Sequence, residues 1–144
     1  MMKRAYDGVT NDGQSQRPAS PGGLRILIVD DSADATEMAA LALVVHGYQV
    51  RTAPDGPTAL RMVQEQRPDD ILLDIGLPQM DGWEVARRLR EQTGPETKPP
   101  VVIAISGYGG AEIEQCSQAA GINLHLVKPV DMDELRQLLS RLRT

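Results

Sequence analysis

Arg25-Ile-Leu-Ile-Val29, followed at once by Asp30 and Asp31, is a short run of branched apolar residues that ends in two carboxylates. Three more runs have the same form: Asp70-Ile-Leu-Leu73 before Asp74, Val101-Val-Ile-Ala-Ile105 before Ser106, and Leu124-His-Leu-Val127 before Lys128. Continuous apolar runs of this length read as strands buried on both faces, the condition of a parallel sheet covered by helices. A residue just past each C-terminal end then lands along one edge of the sheet. Three carboxylates, a hydroxyl and an ammonium converge there, and in open α/β sheets that edge is where ligands bind.

The segments between the runs read as helices. Met38, Leu41, Ala42 and Val45 follow the i, i+3, i+4, i+7 pattern of a core-facing helix that ends at Gly47. Tyr48 to Thr52 is a further short strand, and Asp55-Gly-Pro57 starts a helix with Pro in its first turn and apolar Ala59, Leu60 and Val63. A loop holding Gly76, Pro78 and Gly82 leads to a helix carrying Val85, Ala86 and Leu89. Ile113, Cys116, Ser117 and Ala120 mark a fourth helix, with Cys116 expected as a small core residue. Leu135, Leu138, Leu139 and Leu142 mark a fifth, with Asp131 and Glu134 at capping-box spacing. Met80 and Trp83 are expected to pack near the start of the third helix, and His46 to cap the first or lie at the surface. The order, strand then helix five times over, implies a right-handed, doubly wound parallel sheet.

Composition sets the bounds. The 144 residues are 41% hydrophobic and 24% charged, which suits one domain with a sizeable core. A net charge of -5 argues against a surface built to neutralise nucleic-acid phosphates, and with no Phe, one Trp and three Tyr there is no base-stacking platform. The lone Cys116 excludes an internal disulfide framework and fits a reducing cytoplasm. No apolar stretch is long enough to span a bilayer, so no membrane insertion is expected. Residues 1–23, polar and rich in Gly and Pro, are expected to be a flexible tail, and residues 24–144 the folded domain.

The chemistry begins with the carboxylates. Asp30 and Asp31 leave the first strand side by side, and a neighbouring third strand brings Asp74 to face them. Such charges raise one another's pKa unless a cation sits among them. Oxygen ligands without His or Cys favour Mg²⁺ or Mn²⁺, and a Mg²⁺ site of this kind suits a phosphoryl substrate. An aspartate there can attack phosphorus to give an acyl phosphate. Lys128 can pair with the anion on Asp74 as a point charge, and the Ser106 hydroxyl can donate to a phosphoryl oxygen. Gly107, Gly109 and Gly110 match neither a dinucleotide fingerprint nor a P-loop, and read as loop freedom.

Asp30-Asp31, Asp74-Ile-Gly-Leu-Pro-Gln-Met-Asp-Gly82, Ser106-Gly-Tyr-Gly109 and Lys128-Pro129 together resemble the receiver domain of two-component response regulators, over about residues 24 to 144. The resemblance implies a flavodoxin-like α/β fold, a five-stranded sheet of order 2-1-3-4-5 with helices on both faces. It implies that Asp74 accepts a phosphoryl group from a histidine kinase or histidine phosphotransfer protein. Asp30, Asp31, Asp74 and the Gly76 carbonyl would hold Mg²⁺, Ser106 would move onto the phosphate, and Lys128 would be the conserved-type lysine before a cis Pro129. The chain would be cytoplasmic, would catalyse only its own phosphorylation and dephosphorylation, and would signal through helix four, strand five and helix five. Because the sequence ends at Thr144, output by contact is expected, as a single-domain regulator or as a receiver of a hybrid histidine kinase, whose receivers the Leu124 to Val130 stretch resembles.

One position departs from the receiver pattern. Three residues before the lysine, where receivers carry Tyr or Phe, stands His125. Two readings follow: a ring exposed before phosphorylation and turned inward after it, or a ring that stays at the surface and meets the partner. Two other functional classes stand beside the receiver. A phosphorylation-independent docking module would use the same fold. A haloacid-dehalogenase-type phosphatase also uses a nucleophilic Asp and Mg²⁺, but needs a second Asp two residues later, where this chain has Gly76.

Overall fold

The computed structural model describes residues 24–142 apart from 96 and 108, so the tail expected over residues 1–23 lies outside the described residues. Strands and helices alternate: β1 (Arg25–Val29), α1 (Ala33–Val45), β2 (Gln49–Ala53), α2 (Gly56–Gln66), β3 (Asp70–Asp74), α3 (Gly82–Gln92), β4 (Val101–Ser106), α4 (Ala111–Ala119), β5 (Leu124–Val127) and α5 (Met132–Arg141). The sheet runs β2-β1-β3-β4-β5 and every pairing is parallel, the order that the sequence led us to expect. The second strand sits one residue later than expected, and β3 and β4 extend to include Asp74 and Ser106 as their last residues.

The strand interiors are apolar on both faces because each face has its own core. Leu27, Val29, Ile71, Leu73, Val102 and Ala104 pack with Ala59 and Val63 of α2, Val85 and Leu89 of α3, and Ala120 after α4. The alternate residues Ile26, Ile28, Leu72 and Ile103 pack with Leu43 of α1 and with Leu135 and Leu139 of α5. Period-two alternation thus feeds two layers, one under α2, α3 and α4 and one under α1 and α5. Burying a Leu or Ile side chain is worth about 1.5–3 kcal/mol.

Two expectations about faces are corrected. In α1 the inward line is Thr36, Ala39, Ala40 and Leu43, with Thr36 8% and Leu43 1% exposed. Met38, Leu41 and Val45 are 70%, 59% and 76% exposed, so most of the expected core stripe faces outward. Both lines obey the same i, i+3, i+4, i+7 spacing in a helix that is apolar nearly all round. What lets a threonine take the inner position is its hydroxyl, which donates to the Ser32 carbonyl at 2.6 Å and so enters the core satisfied. In α4, Cys116 is exposed and Ser117 is buried. Ser117 Oγ accepts the Trp83 indole N–H at 3.0 Å, which fastens α4 to α3 and makes the serine the inward residue.

Caps set several helix starts. Ser32, Asp55, Asp81 and Asp131 accept backbone N–H bonds at the N-termini of α1, α2, α3 and α5. His46 caps the C-terminus of α1, its Nδ1 donating to the Ala42 carbonyl at 3.0 Å.

Candidate functional site

The C-terminal ends of β1, β3, β4 and β5 gather the residues singled out in the sequence. Asp30 follows β1, its backbone N–H bonded to the Ala53 carbonyl at the end of β2 at 3.1 Å. Its carboxylate accepts the Ser32 N–H at 2.9 Å, so one oxygen is fixed by the same turn that starts α1. Asp74, in register with Ile105, closes β3 with its side chain largely buried. Ligand oxygens of Asp30, Asp31 and Asp74 all lie within 4.8 Å of one another.

Unlike charges balance part of this repulsion. Lys128 Nζ approaches Asp74 Oδ1 to 3.6 Å, and the Gly76 N–H donates to the same oxygen at 3.1 Å. Burial pushes the Asp30 carboxyl above its ordinary range, and the charges of Asp74 and Asp31 push the same way. The Ser32 N–H and the Lys128 ammonium oppose them without cancelling the rise. Three carboxylates gathered as hard oxygen donors around Asp30, whose charged form is disfavoured, are suited to a hard divalent cation.

The loop after Asp74 is tightly held. Ile75 N–H bonds to the Ile105 carbonyl at 3.0 Å, and Gly82 N–H returns to the Ile75 carbonyl at 2.9 Å. A Cβ on Gly82 would stand 2.7 Å from Ile75 Cα and 2.8 Å from the Asp74 carbonyl oxygen. That position accepts only a bare backbone, because the start of α3 lies against the residue that carries the central carboxylate.

Ser106, 4% exposed, ends β4 beside Val127, and its carbonyl accepts the Lys128 N–H at 2.7 Å. The Lys128–Pro129 peptide is cis, in line with the expectation. His125, expected at the surface in one reading and before phosphorylation in the other, is turned inward in this structure. Its ring is half-buried, with Nε2 2.8 Å from Ser106 Oγ and Nδ1 buried without a hydrogen-bond partner among the described residues. A buried hydroxyl seeks a polar neighbour, and the register that sets His125 opposite Ala104 brings the ring to Ser106, two residues on along the same face.

Asp30, Asp31, Asp74 and Lys128 are therefore one cluster, Gly76 adjoins it through its N–H, and Ser106 lies at the neighbouring strand end. The parts that the sequence reading missed are Thr36, Gly82 and the bond from His125 to Ser106. Gly82 stood in the quoted motif as a loop residue, and only the contact distance explains it.

Comparison with known proteins agrees with this geometry. Residues 26–140 match the response regulator receiver domain. The regulatory protein AtoC of Escherichia coli is 36% identical over 119 residues, 81% of this chain but 24% of AtoC. The response regulator PleD of Caulobacter vibrioides is 38% identical over 107 residues, 74% of this chain and 23% of PleD. The chain thus spans about a quarter of the length of these relatives. Among solved structures, the chemotaxis protein CheY4 of Vibrio cholerae superposes with a TM-score of 0.76 at 33% identity, covering 82% of this chain and 97% of that one. With its parallel sheet in the order 2-1-3-4-5 and its acidic cluster at the C-terminal edge, the chain belongs to the response regulator receiver domain family.

Proposed function

We propose that this receiver accepts a phosphoryl group on Asp74 from a phosphohistidine of a histidine kinase or a histidine phosphotransfer protein, and signals the change to a partner. The observation that carries the reading is the set of three carboxylates within 4.8 Å with Lys128 at 3.6 Å from Asp74. Asp74 supplies the nucleophilic oxygen, a new P–O bond forms as the donor's P–N bond breaks, and the donor imidazole leaves with the electron pair. Asp30, Asp31, Asp74 and the Gly76 carbonyl would hold Mg²⁺ (or Mn²⁺), which neutralises charge on the phosphoryl oxygens when bound. Lys128 holds charge against the modified Asp74, and Ser106 donates to one phosphoryl oxygen.

Gly76 has no side chain to serve as acid or base, so turnover of phosphate esters is not expected. Output runs through α4, β5 and α5, where Val127 is 48% exposed. The protein works in the cytoplasm. No helix among the described residues is long and apolar enough to cross a membrane.

The test is incubation with acetyl phosphate and Mg²⁺ followed by intact mass. Wild type should gain a single phosphoryl group, and Asp74→Asn, nearly isosteric but a poor nucleophile, should gain none while staying folded. No gain in wild type would favour a docking module, and continuous release of inorganic phosphate from phosphate monoesters would favour a phosphatase.

A further inference from the structure

His125 is bonded to Ser106 through Nε2, while its other ring nitrogen is buried without a hydrogen-bond partner among the described residues. That asymmetry fixes the direction of the bond. A neutral imidazole carries one N–H, and burying an N–H without an acceptor is rarer in folded proteins than burying an acceptor without a donor. The proton therefore belongs on Nε2, which donates to Ser106 Oγ at 2.8 Å. A hydroxyl that accepts from the ring keeps its O–H as a donor group. Because the ring fixes one lone pair of Oγ, it restricts the directions in which that proton can point.

We propose that His125 is a positioning residue for phosphoryl transfer: by donating Nε2–H to Ser106 Oγ it orients the Ser106 hydroxyl to donate to a phosphoryl oxygen on Asp74. The inference rests on the phosphoacceptor reading above. Phe, one of the residues receivers carry at this position, has no ring N–H and cannot make this bond. The register supports the geometry, since Ser106 is the last residue of β4 and pairs with Val127, one residue before the lysine that reaches Asp74. In the transfer from acetyl phosphate, an Asp74 oxygen forms the new P–O bond as the P–O bond to acetate breaks, and acetate leaves with the electron pair. Ser106 and His125 neither gain nor lose a proton overall.

The experiment measures the initial rate of labelling by acetyl phosphate with Mg²⁺, by intact mass, in wild type, His125→Phe, His125→Gln, Ser106→Ala and the double variant Ser106→Ala with His125→Phe. Loss of one neutral orienting hydrogen bond should slow His125→Phe by about two- to tenfold. Gln places an amide N–H at a similar reach and should recover most of that rate. In the Ser106→Ala background the His125→Phe change should have no further effect, because the hydroxyl it acts through is gone. Thermal melting of each variant separates lost folding from lost positioning. The proposal is overturned if His125→Phe labels as fast as wild type or faster, if His125→Gln is as slow as His125→Phe, or if the Phe effect persists undiminished without the Ser106 hydroxyl. A wild type that takes no label at all overturns the phosphoacceptor reading itself, and this inference with it.

Discussion

Replacing Asp30 by Asn removes one charge from the acidic cluster while keeping a side-chain oxygen able to accept the Ser32 N–H at 2.9 Å, so the turn into α1 survives. Two unit charges 4.8 Å apart repel by about 1 kcal/mol in water and about 3.5 kcal/mol at an effective dielectric constant near 20. Asp30 is half-buried and faces two carboxylates, but Lys128 offsets part of the repulsion. A net gain of about 1–2 kcal/mol in the metal-free protein is reasonable, which for a domain of this size is a rise of about 3–8 °C in Tm. The pH dependence has a definite sign. Because the folded-state pKa of Asp30 lies above its ordinary value of 3.8, the folded chain binds that proton more tightly than the unfolded chain does. Its contribution is fully present below 3.8 and is lost as pH rises through the raised value. The Tm advantage of Asp30→Asn should therefore be small in acid and grow toward neutral pH. Mg²⁺ at a hundred times its Kd would stabilise wild type by about 2.7 kcal/mol, and the variant should gain much less. Scanning calorimetry in a chelator and again with Mg²⁺, at several pH values, reads all three effects. A variant that melts below wild type at neutral pH without metal, or gains as much from Mg²⁺, would refute the reasoning.

The two lines of α1 can be told apart by truncation. Leu43→Ala, at a side chain 1% exposed, should cost about 2–5 kcal/mol in denaturant unfolding. Leu41→Ala, at 59% exposed, should stay within about 0.5 kcal/mol of wild type, and a large loss there would put the outward stripe back in the core. Gly82→Ala should destabilise by about 1–3 kcal/mol because its Cβ meets backbone atoms of Ile75 and Asp74. The same variant should label more slowly with a phosphodonor, and an alanine that left both melting and labelling unchanged would show that the loop can yield.

How much of this was visible before the structure depends on which interaction decides each residue. The strands were legible because β1, β3 and β4 are buried on both faces and show it as unbroken apolar runs, with the chemistry placed at their C-terminal ends; their order came from the resemblance to receiver domains. The α1 face was not legible. Its two candidate lines share one spacing, and the choice turned on the Thr36 hydroxyl finding the Ser32 carbonyl, a bond that hydropathy does not register. Cys116 misled in the same way, since Ser117 became the inward residue through Trp83, 34 positions away. His125 was recognisable as a departure from the receiver pattern, but its inward position depended on the β4 and β5 register, which sets its ring beside the buried Ser106 hydroxyl.

The phosphoacceptor itself is the central claim, and it is tested most directly by locating the modified residue. Acetyl phosphate and Mg²⁺ are used to label the wild-type chain, borohydride then reduces any acyl phosphate to an alcohol, and peptide mass spectrometry finds the site. The expected result is homoserine in place of Asp74 and unmodified carboxylates at Asp30 and Asp31. Reduction at Asp30 or Asp31 instead, or a phosphoryl group that resists borohydride and maps to Ser106, would contradict it.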